Sequence, residues 1–381
     1  MQKSKLHLIS LFFSLIFLFL LAILQPVLAQ ETALKYDKEE RIEAVVVKIS
    51  QEKEITVMGK ENLSQTLELE FLPPALRKRV TLTTGNIPTA YQPVYKVNDT
   101  VVLNSLVTGN GEKTYIITDY VRRDALYWLF LIFVILTIFV ARRRGIFSLL
   151  GMFISFFLIV KFLLPQIMSG NDPILIAVLT ALAIIPLTFY LSHGINLKTS
   201  IAVLGTVTAL IISGLLANYF IVSAKLSGFS SEEAVFLQVQ NPNFANIRGL
   251  ILAGIIIGLV GILDDITISQ AAIVRQLKTN SPKLGFWELY QGAMEVGKDH
   301  IASLVNTLIL VYTGAALPLL LLFVNNPAPF ADVINLELVA EEILRALVAS
   351  IGLILAVPIT SLLAAVVFGN KKYYDLRINI K

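Results

Sequence analysis

The chain contains no cysteine, only three histidines and only 15% charged residues. Without cysteine it can form no disulfide, zinc ribbon, haem thiolate or thiol nucleophile. Three histidines make a His-rich metal site implausible, so we expect neither a metal nor another cofactor. Ordinary soluble domains are about a quarter charged. The low charge and the 56% hydrophobic content therefore indicate a polytopic membrane protein.

The sequence also lacks the common enzyme signatures. It has no Walker A sequence, no HExxH and no GxSxG. The adjacent Asp264 and Asp265 lack the GxGD pattern of intramembrane aspartyl proteases, and their side chains diverge by about 100° on a helix. No aromatic platform or dense basic stripe indicates a nucleic-acid partner. We therefore expect a protein that is not an enzyme and binds no nucleic acid.

Residues 1–29 resemble a secretory signal. Lys3 and Lys5 precede an apolar run over residues 6–24, and the small Ala29 precedes a polar chain. Because the run is long for a signal peptide, a retained signal anchor is the alternative to cleavage. In both cases the residues that follow are exported.

Residues 30–123 predict a small exported β domain. The chain alternates in residues 41–49 and 66–71, two short strands fit within 94–103, and a last strand covers 115–121. Period-two patterns bounded by Gly, Asn, Asp and Pro are typical of antiparallel sheets. An OB-like barrel or a sandwich fits short strands in this length.

Residues 124–370 predict a mainly α fold, a polytopic transmembrane helix bundle of about seven spans. A cytoplasmic tail, residues 371–381, follows. The expected spans cover residues 125–141, 146–164, 173–191, 200–222, 249–263, 301–323 and 342–368.

Lysine and arginine are distributed unevenly between the two ends of these spans. The loops 166–172 and 325–337 contain neither residue, and the loop 223–247 contains only Lys225. The opposite ends carry many, including Arg142–Arg144. Positive residues collect on the cytoplasmic side. The asymmetry predicts a multi-pass protein of the cell (inner) membrane, with the β domain outside and the carboxyl terminus cytoplasmic.

The stretch RGLILAGIIIGLVGILDDITISQAA, residues 248–272, organises the bundle. Gly254 and Gly258 form a GxxxG and Gly261 follows, which predicts close helix packing in lipid. The helix ends in Asp264 and Asp265. Carboxylates at such a depth are costly unless they face water, a partner or a cation.

The fifth expected span ends, and the sixth begins, on the same side of the membrane. Polar residues at these ends could line one cavity that binds a substrate or ion, because carboxylates bind cations and histidine exchanges protons near neutral pH. The candidate residues are Asp264, Asp265, Ser269, Asp299, His300 and Asn306. The alternative is structural: Asp265 caps the next helix, Asp299 is solvated, and Asn306 joins helices.

Glu341, Glu342 and Arg345 begin the seventh expected span. Residues three or four apart lie on one helix face. We expect a structural ion pair here.

Three long stretches carry a family resemblance: the one beginning at Arg248, VGKDHIASLVNTLILVYTGAALPLLLL and EEILRALVASIGLILAVPIT. With them, the chain resembles the YibE/F-like family from the β domain through the last span. Lys298 departs from the family pattern, which has arginine there. The family pattern matches at Asp264, Asp265, Ser269, Asp299, His300, Asn306, Thr307, Tyr312, Pro318, Glu342 and Arg345.

The resemblance implies a multi-pass inner-membrane protein that is supposed to be a transporter, and it supplies no substrate. With the polar residues, it favours a transporter or permease of a small solute or ion in the lipid bilayer. The alternative is a non-transporting scaffold or accessory protein whose β domain binds an envelope protein partner. A homo-oligomer is compatible with both.

The charge asymmetry makes a testable prediction of topology. A reporter fused after Lys381 should read cytoplasmic, and one inserted in the β domain should read exported. The reason is that loops rich in lysine and arginine stay on the cytoplasmic side of the membrane. Paired alkaline phosphatase and green fluorescent protein fusions measure this. An exported carboxyl terminus would contradict the seven-span arrangement.

Overall fold

The computed structural model of the protein describes residues 41–57, 60–73, 78–86, 93–107, 113–241, 246–324 and 329–370. The expected signal segment and cytoplasmic tail lie outside these residues. Contacts divide the chain into two compact units, with the boundary between Leu136 and Thr137. The boundary lies inside the first apolar helix, so the β unit carries the beginning of that helix.

The first unit is a curled, five-stranded antiparallel sheet in the order β3-β2-β1-β4-β5. The long first strand shifts register twice, between Val46 and Lys48 and between Ile49 and Gln51. Such bulges bend a strand and increase its twist, which lets it pair with β2 along its length and with β4 near its start. The strands are β1 (Arg41–Val57), β2 (Lys60–Phe71), β3 (Arg79–Thr84), β4 (Thr100–Val107) and β5 (Lys113–Tyr120).

Alternate residues of the central strands form the core of the sheet, as the period-two pattern predicts. The fully buried members include Ala44, Leu67 and Val101. One amide is buried with them: Gln65 donates from Nε2 to the Tyr95 carbonyl at 3.0 Å and accepts the Tyr95 N–H at 2.8 Å. This exchange satisfies a buried polar group that would otherwise destabilise the sheet.

Two details of the sheet differ from the sequence prediction. Residues 94–103 contain only one strand, because Asn98 turns the chain with φ 76° and β4 begins at Thr100. Strand β3 was not expected. No described ladder joins β3 to β5, so closure into an OB-like barrel stays a prediction.

The second unit is helical, with a π-helical turn (Ile159–Leu163) between its first two helices. The helices are α1 (Arg123–Leu158), α2 (Leu164–Met168), α3 (Pro173–His193), α4 (Leu197–Ser223), α5 (Glu232–Gln240), α6 (Ile247–Asn280), α7 (Phe286–Ala315), α8 (Leu317–Val324), α9 (Phe330–Ile334) and α10 (Glu337–Gly369).

Helix α1 reverses direction at Arg142, whose backbone is non-helical with φ 54° and ψ −129°. A Cβ at Gly145 would overlap the carbonyl oxygen of Thr137. In a continuous helix, residues eight apart are separated by about 12 Å, so the chain must fold back between them. The arginine run therefore ends one helical segment and begins another, as expected.

Five helices of the described chain are long and apolar enough to cross a membrane, or six if α7 and α8 form one span. This count takes Arg123–Met168, 46 residues with the reversal at Arg142, as one helix. The chain is therefore a multi-pass membrane protein, and the exact number of seven spans stays a prediction. Helices α7 and α8 meet at 71°, with Pro318 in the first turn of α8.

Small residues bring α4, α6 and α10 together. A Cβ at Gly352 would lie 2.5 Å from Ser213 Oγ and 3.0 Å from Leu259 Cδ2. Thr206 and Thr267 share a hydrogen bond of 2.7 Å between their hydroxyls. Between these two contacts the residue number falls from 213 to 206 in α4 and rises from 259 to 267 in α6. These two helices are therefore antiparallel.

The first turns of α3 and α6 are also joined. The Asp172 carboxylate accepts the Leu175 N–H at 2.9 Å and the Asn246 side-chain amide at 2.9 Å. These hydrogen bonds, above all the one from the Leu175 backbone, hold the pKa of Asp172 below its usual range. Asn246 in turn caps α6 by accepting the Gly249 N–H at 2.7 Å.

The helix contact at Gly205 makes a testable prediction of stability. A Cβ at Gly205 would overlap Thr360 Oγ1 and lie 3.1 Å from Thr360 Cβ. Gly205→Ala should therefore destabilise the protein by about 1–3 kcal/mol, the usual effect of overpacking a core. Thermal unfolding in one detergent measures it.

Gly214→Ala is the matched control, because nothing lies within 4 Å of a Cβ there. Thr360→Ala should restore part of the loss in the double variant by removing the overlapping hydroxyl. Equal unfolding temperatures for the Gly205 and Gly214 variants would contradict the packing.

Candidate functional site

One face of α6 is open from Gly254 to Asp265. Gly254, Gly258, Gly261 and Asp265 are spaced by four, three and four residues, which places them on one face, and all four are exposed. We call them the glycine stripe. The stripe is unusual because α6 is otherwise the most buried of the candidate spans. In its most apolar 18-residue stretch, 61% is buried inside the bundle.

The glycine stripe does not pack against another helix of the described chain. A Cβ at Gly254 or Gly261 would meet nothing within 4 Å, and one at Gly258 would meet only Tyr312 Oη at 4.0 Å. The close approach that the GxxxG predicts is therefore not found among the described residues. Tight glycine contacts occur instead at Gly205 and Gly352, where no GxxxG marks them.

Tyr312 connects the stripe to an ion cluster. Its phenol interacts electrostatically with Arg345 and Glu342 of α10. Arg345 binds Glu341 at 2.8 Å and Glu342 at 3.1 Å, which confirms the ion pair predicted from their spacing. Arg345 Nε is buried and has no partner in the described chain.

The carboxylates of α10 also hold the segment that follows α4. Glu337 accepts the N–H groups of Ser227 at 2.5 Å and Gly228 at 2.8 Å, as well as the Ser227 hydroxyl. Glu341 accepts the Ser230 hydroxyl at 2.6 Å. The segment before α5 is thereby fixed to the first turns of α10, and Glu341 serves both this segment and Arg345.

The other end of the stripe carries Asp264 and Asp265. Asp265 is exposed and interacts electrostatically with His193, the last residue of α3. Asp264 is half-buried, and its Oδ1 is buried with no hydrogen-bond partner among the described residues. A carboxylate oxygen in this position requires a cation, a proton or water.

Helix α7 crosses α6 at the level of these carboxylates but on another face. A Cβ at Gly297 would lie 3.0 Å from Gln270 Nε2, and the two helices are antiparallel, so Asp299 lies close to the level of Ile268. Asp264 is six residues before Gln270, which is about 120° around the helix. The pair Asp264–Asp265 and the pair Asp299–His300 thus lie at a similar depth in the bundle. At this level Asp264 faces away from α7.

The exposure of the remaining predicted residues differs. Asp299 and Asn306 are exposed on α7, and Ser269 is half-buried on α6. His300 is half-buried, and its Nδ1 has no partner among the described residues. In the described part of the chain, no group of three or more His, Asp or Glu side chains could hold a metal ion.

Sequence reasoning missed His193. Its signal was weak, because a single histidine before a Gly194 turn resembles an ordinary helix end. Tyr312 was matched only through the family pattern, and its place against Gly258 requires the crossing of α6 and α7.

The comparison with known protein families identifies the family of the helical region. Residues 129–370 match the family of YibE/F-like proteins, which includes every helix contact described above. The chain belongs to this family. No functionally curated protein and no solved structure is significantly similar to it.

The open face of α6 makes a prediction for thiol labelling. The chain has no cysteine, so Gly258→Cys and Gly261→Cys each introduce a single thiol. If the stripe is water-filled, a charged maleimide should label both, because maleimides react with the solvated thiolate. Mass spectrometry of the protein in lipid nanodiscs measures the labelling.

Gly214→Cys is the matched control. A cysteine there is also unobstructed, but it lies in an apolar cavity of about 370 Å³ that includes Leu182, Ile211 and Leu252. It should react at least tenfold more slowly. Equal rates at Gly214 and Gly261 would show that the stripe faces lipid.

Proposed function

We propose that this YibE/F-like protein is a transporter or permease that moves a small solute or ion across the cell (inner) membrane along the glycine stripe. The single observation that supports it best is the open face of α6. It runs from Tyr312 and its ion cluster to Asp265 and His193. The proposal includes an exported β domain and a cytoplasmic carboxyl terminus.

The glycines suit a pathway because they add no side chain to it. An apolar helix surface of Leu or Ile would fill the same face and exclude water. Along Gly254, Gly258 and Gly261 the helix backbone itself forms the wall. Polar passages through membranes are built in this way, from small residues and backbone groups that line a cavity.

The carboxylates make a cation or a proton the favoured cargo. Asp265 stands in the stripe, and Asp264 has a buried oxygen without a partner among the described residues. Ionisable groups within membrane segments commonly mark ion and proton paths. His193 adds a group that exchanges protons near neutral pH.

The bend between α7 and α8 supports a moving element. Transporters commonly use discontinuous helices at their sites, and these two helices meet at 71° near Ala316. Tyr312 lies one turn before the bend and beside Gly258. A change of the bend would therefore move Tyr312 along the stripe. No enzymatic step and no cofactor is part of this proposal.

Transport in proteoliposomes tests the proposal. Purified protein is reconstituted with a pH-sensitive dye or with dyes for sodium, potassium and magnesium, and a gradient of each ion is imposed. Asp265→Asn and Gly261→Leu should each reduce flux at least tenfold, since one removes the charge and the other fills the stripe. Gly214→Leu, which adds the same bulk away from the stripe, should retain it.

If the protein is folded and the flux of every ion is no higher than in empty liposomes, these ions are excluded as the cargo. An unchanged Asp265→Asn would contradict a role of this charge in transport. The expected cap by Asp265 was wrong, because α6 continues through this residue to Asn280.

One observation favours the second candidate, a scaffold whose β domain binds an envelope protein. A cleft of about 620 Å³ lies between the edge strands β3 and β5. Edge strands present backbone groups that an added strand can pair with. The cleft lining includes Leu82, Thr83, Tyr95, Tyr115, Ile117 and Arg122. The scaffold would be supported by two results together. The protein shows no flux in liposomes, and substitutions in the cleft nevertheless abolish its function in cells.

A further inference from the structure

We infer that Arg144, Lys198 and Arg275 form a binding site for the phosphate headgroup of an anionic membrane lipid. The site lies at the end of the bundle that carries Asp265. Two of its cations, Lys198 and Arg144, also interact electrostatically with His193 of the proposed pathway, but the inference does not rest on the proposed transport.

The register of α4 and α6 places two of these cations at the same level of the bundle. Thr206 and Thr267 are hydrogen-bonded across the antiparallel pair at 2.7 Å. Lys198 is eight residues before Thr206, and Arg275 is eight residues after Thr267. Both therefore lie about 12 Å beyond that bond on the same side, at the ends of neighbouring helices.

The third cation reaches the same place from α1. A Cβ at Gly151 would lie 3.7 Å from Thr188 and 3.8 Å from Ser192, so the second segment of α1 packs against the last turns of α3. Arg144 is two turns before Gly151, about 10 Å further along the helix axis. This places it beside the turn that joins α3 to α4.

The three positive charges act on one another. Lys198 experiences electrostatic repulsion from both Arg275 and Arg144. None of the three has an ion pair or side-chain hydrogen bond within the described residues. The acidic residue in the neighbourhood is Asp265, which lies ten residues before Arg275, about 15 Å deeper. The cluster therefore presents positive charge that no ion pair among the described residues compensates.

The first turn of α4 adds hydrogen-bond donors. Asn196 caps the helix by accepting the Thr199 N–H at 3.1 Å, which leaves the N–H groups of Leu197 and Lys198 available at the positive end of a 27-residue helix. Helix N-termini bind phosphate groups in this way. Thr199 is fully buried, and its hydroxyl has no partner among the described residues.

A lipid fits better than a free phosphate because apolar surface adjoins the cations. Phe147 is 44% exposed within one turn of Arg144, and Leu204 is 59% exposed two turns after Lys198. On a membrane protein these surfaces meet acyl chains. Basic pockets between transmembrane helices bind anionic headgroups, and arginine binds phosphate through two parallel hydrogen bonds.

Single-site fluorescence quenching in full-length protein tests this inference. Ile195 is 45% exposed in the α3–α4 turn, and Ile195→Cys provides the only thiol for a dye. The protein is placed in phosphatidylcholine nanodiscs that contain a small fraction of brominated phosphatidylglycerol or brominated phosphatidylcholine. We expect the brominated anionic lipid to quench at least twofold more strongly than the neutral one at equal fraction.

The double variant K198Q/R275Q should abolish this preference, and K198R/R275K should retain it. The matched control is K283Q/K298Q, which removes two exposed positive charges from the same predicted side and should leave the preference intact. Equal quenching by both lipids, or loss of the preference in the control pair, would overturn the inference. Gel filtration confirms that each variant is folded.

Inorganic phosphate separates the two sources of the anion. Millimolar phosphate, added at constant ionic strength, should not relieve quenching by the anionic lipid, because the acyl chains hold the headgroup in place. Relief by phosphate but not by an equal concentration of chloride would assign the site to a soluble phosphate and overturn the lipid.

Discussion

The hydrogen bond between Thr206 and Thr267 is the contact on which the helix bundle depends. One of the two hydroxyls donates across the helix pair, and the other can donate to a carbonyl of its own helix, that of Ala202 or Leu263. Sliding one helix past the other would break the bond between the helices, and in lipid no water could replace it. The bond therefore fixes the register of α4 and α6.

This register determines what every face of α6 meets. Leu259 contacts α10 at Gly352, Thr267 contacts α4, and Gln270 accepts the Ser361 hydroxyl at 3.0 Å. With these sides occupied, the glycines and Asp265 are left on the side that no helix of the described residues covers. The open face is thus a consequence of how the other faces of α6 pack. A rotation of α6 about its own axis would remove it.

The features that could be predicted from the sequence are those that depend only on residues close together along the chain. Arg345 pairs with Glu341 and Glu342 because residues three and four apart share a face, and the alternation of residues 41–49 and 66–71 identified two strands. The reversal near Arg142 was visible as an arginine run between apolar segments. These features need no knowledge of the rest of the fold.

The remainder depends on partners distant in the chain. A GxxxG shows that a helix face is small, but not which helix covers it, so the contacts of Gly205 and Gly352 could not be separated from the open Gly254. Asp264 was paired with α7 because consecutive spans are usually neighbours. The crossing of α7 over another side of α6 turns Asp264 away from it and leaves His193 as the neighbour of Asp265.

The reversal at Arg142 has a consequence for biogenesis. Because only a hydrogen atom at Gly145 faces the Thr137 carbonyl, the two segments of α1 touch as soon as both have been synthesised. The most apolar 18-residue stretch of Arg123–Met168 has a mean hydropathy of 2.4, and the arginines lie at the turn between the two segments. The turn at Arg142 can therefore form before any residue of α3 has been synthesised, because Thr137 and Gly145 are only eight residues apart.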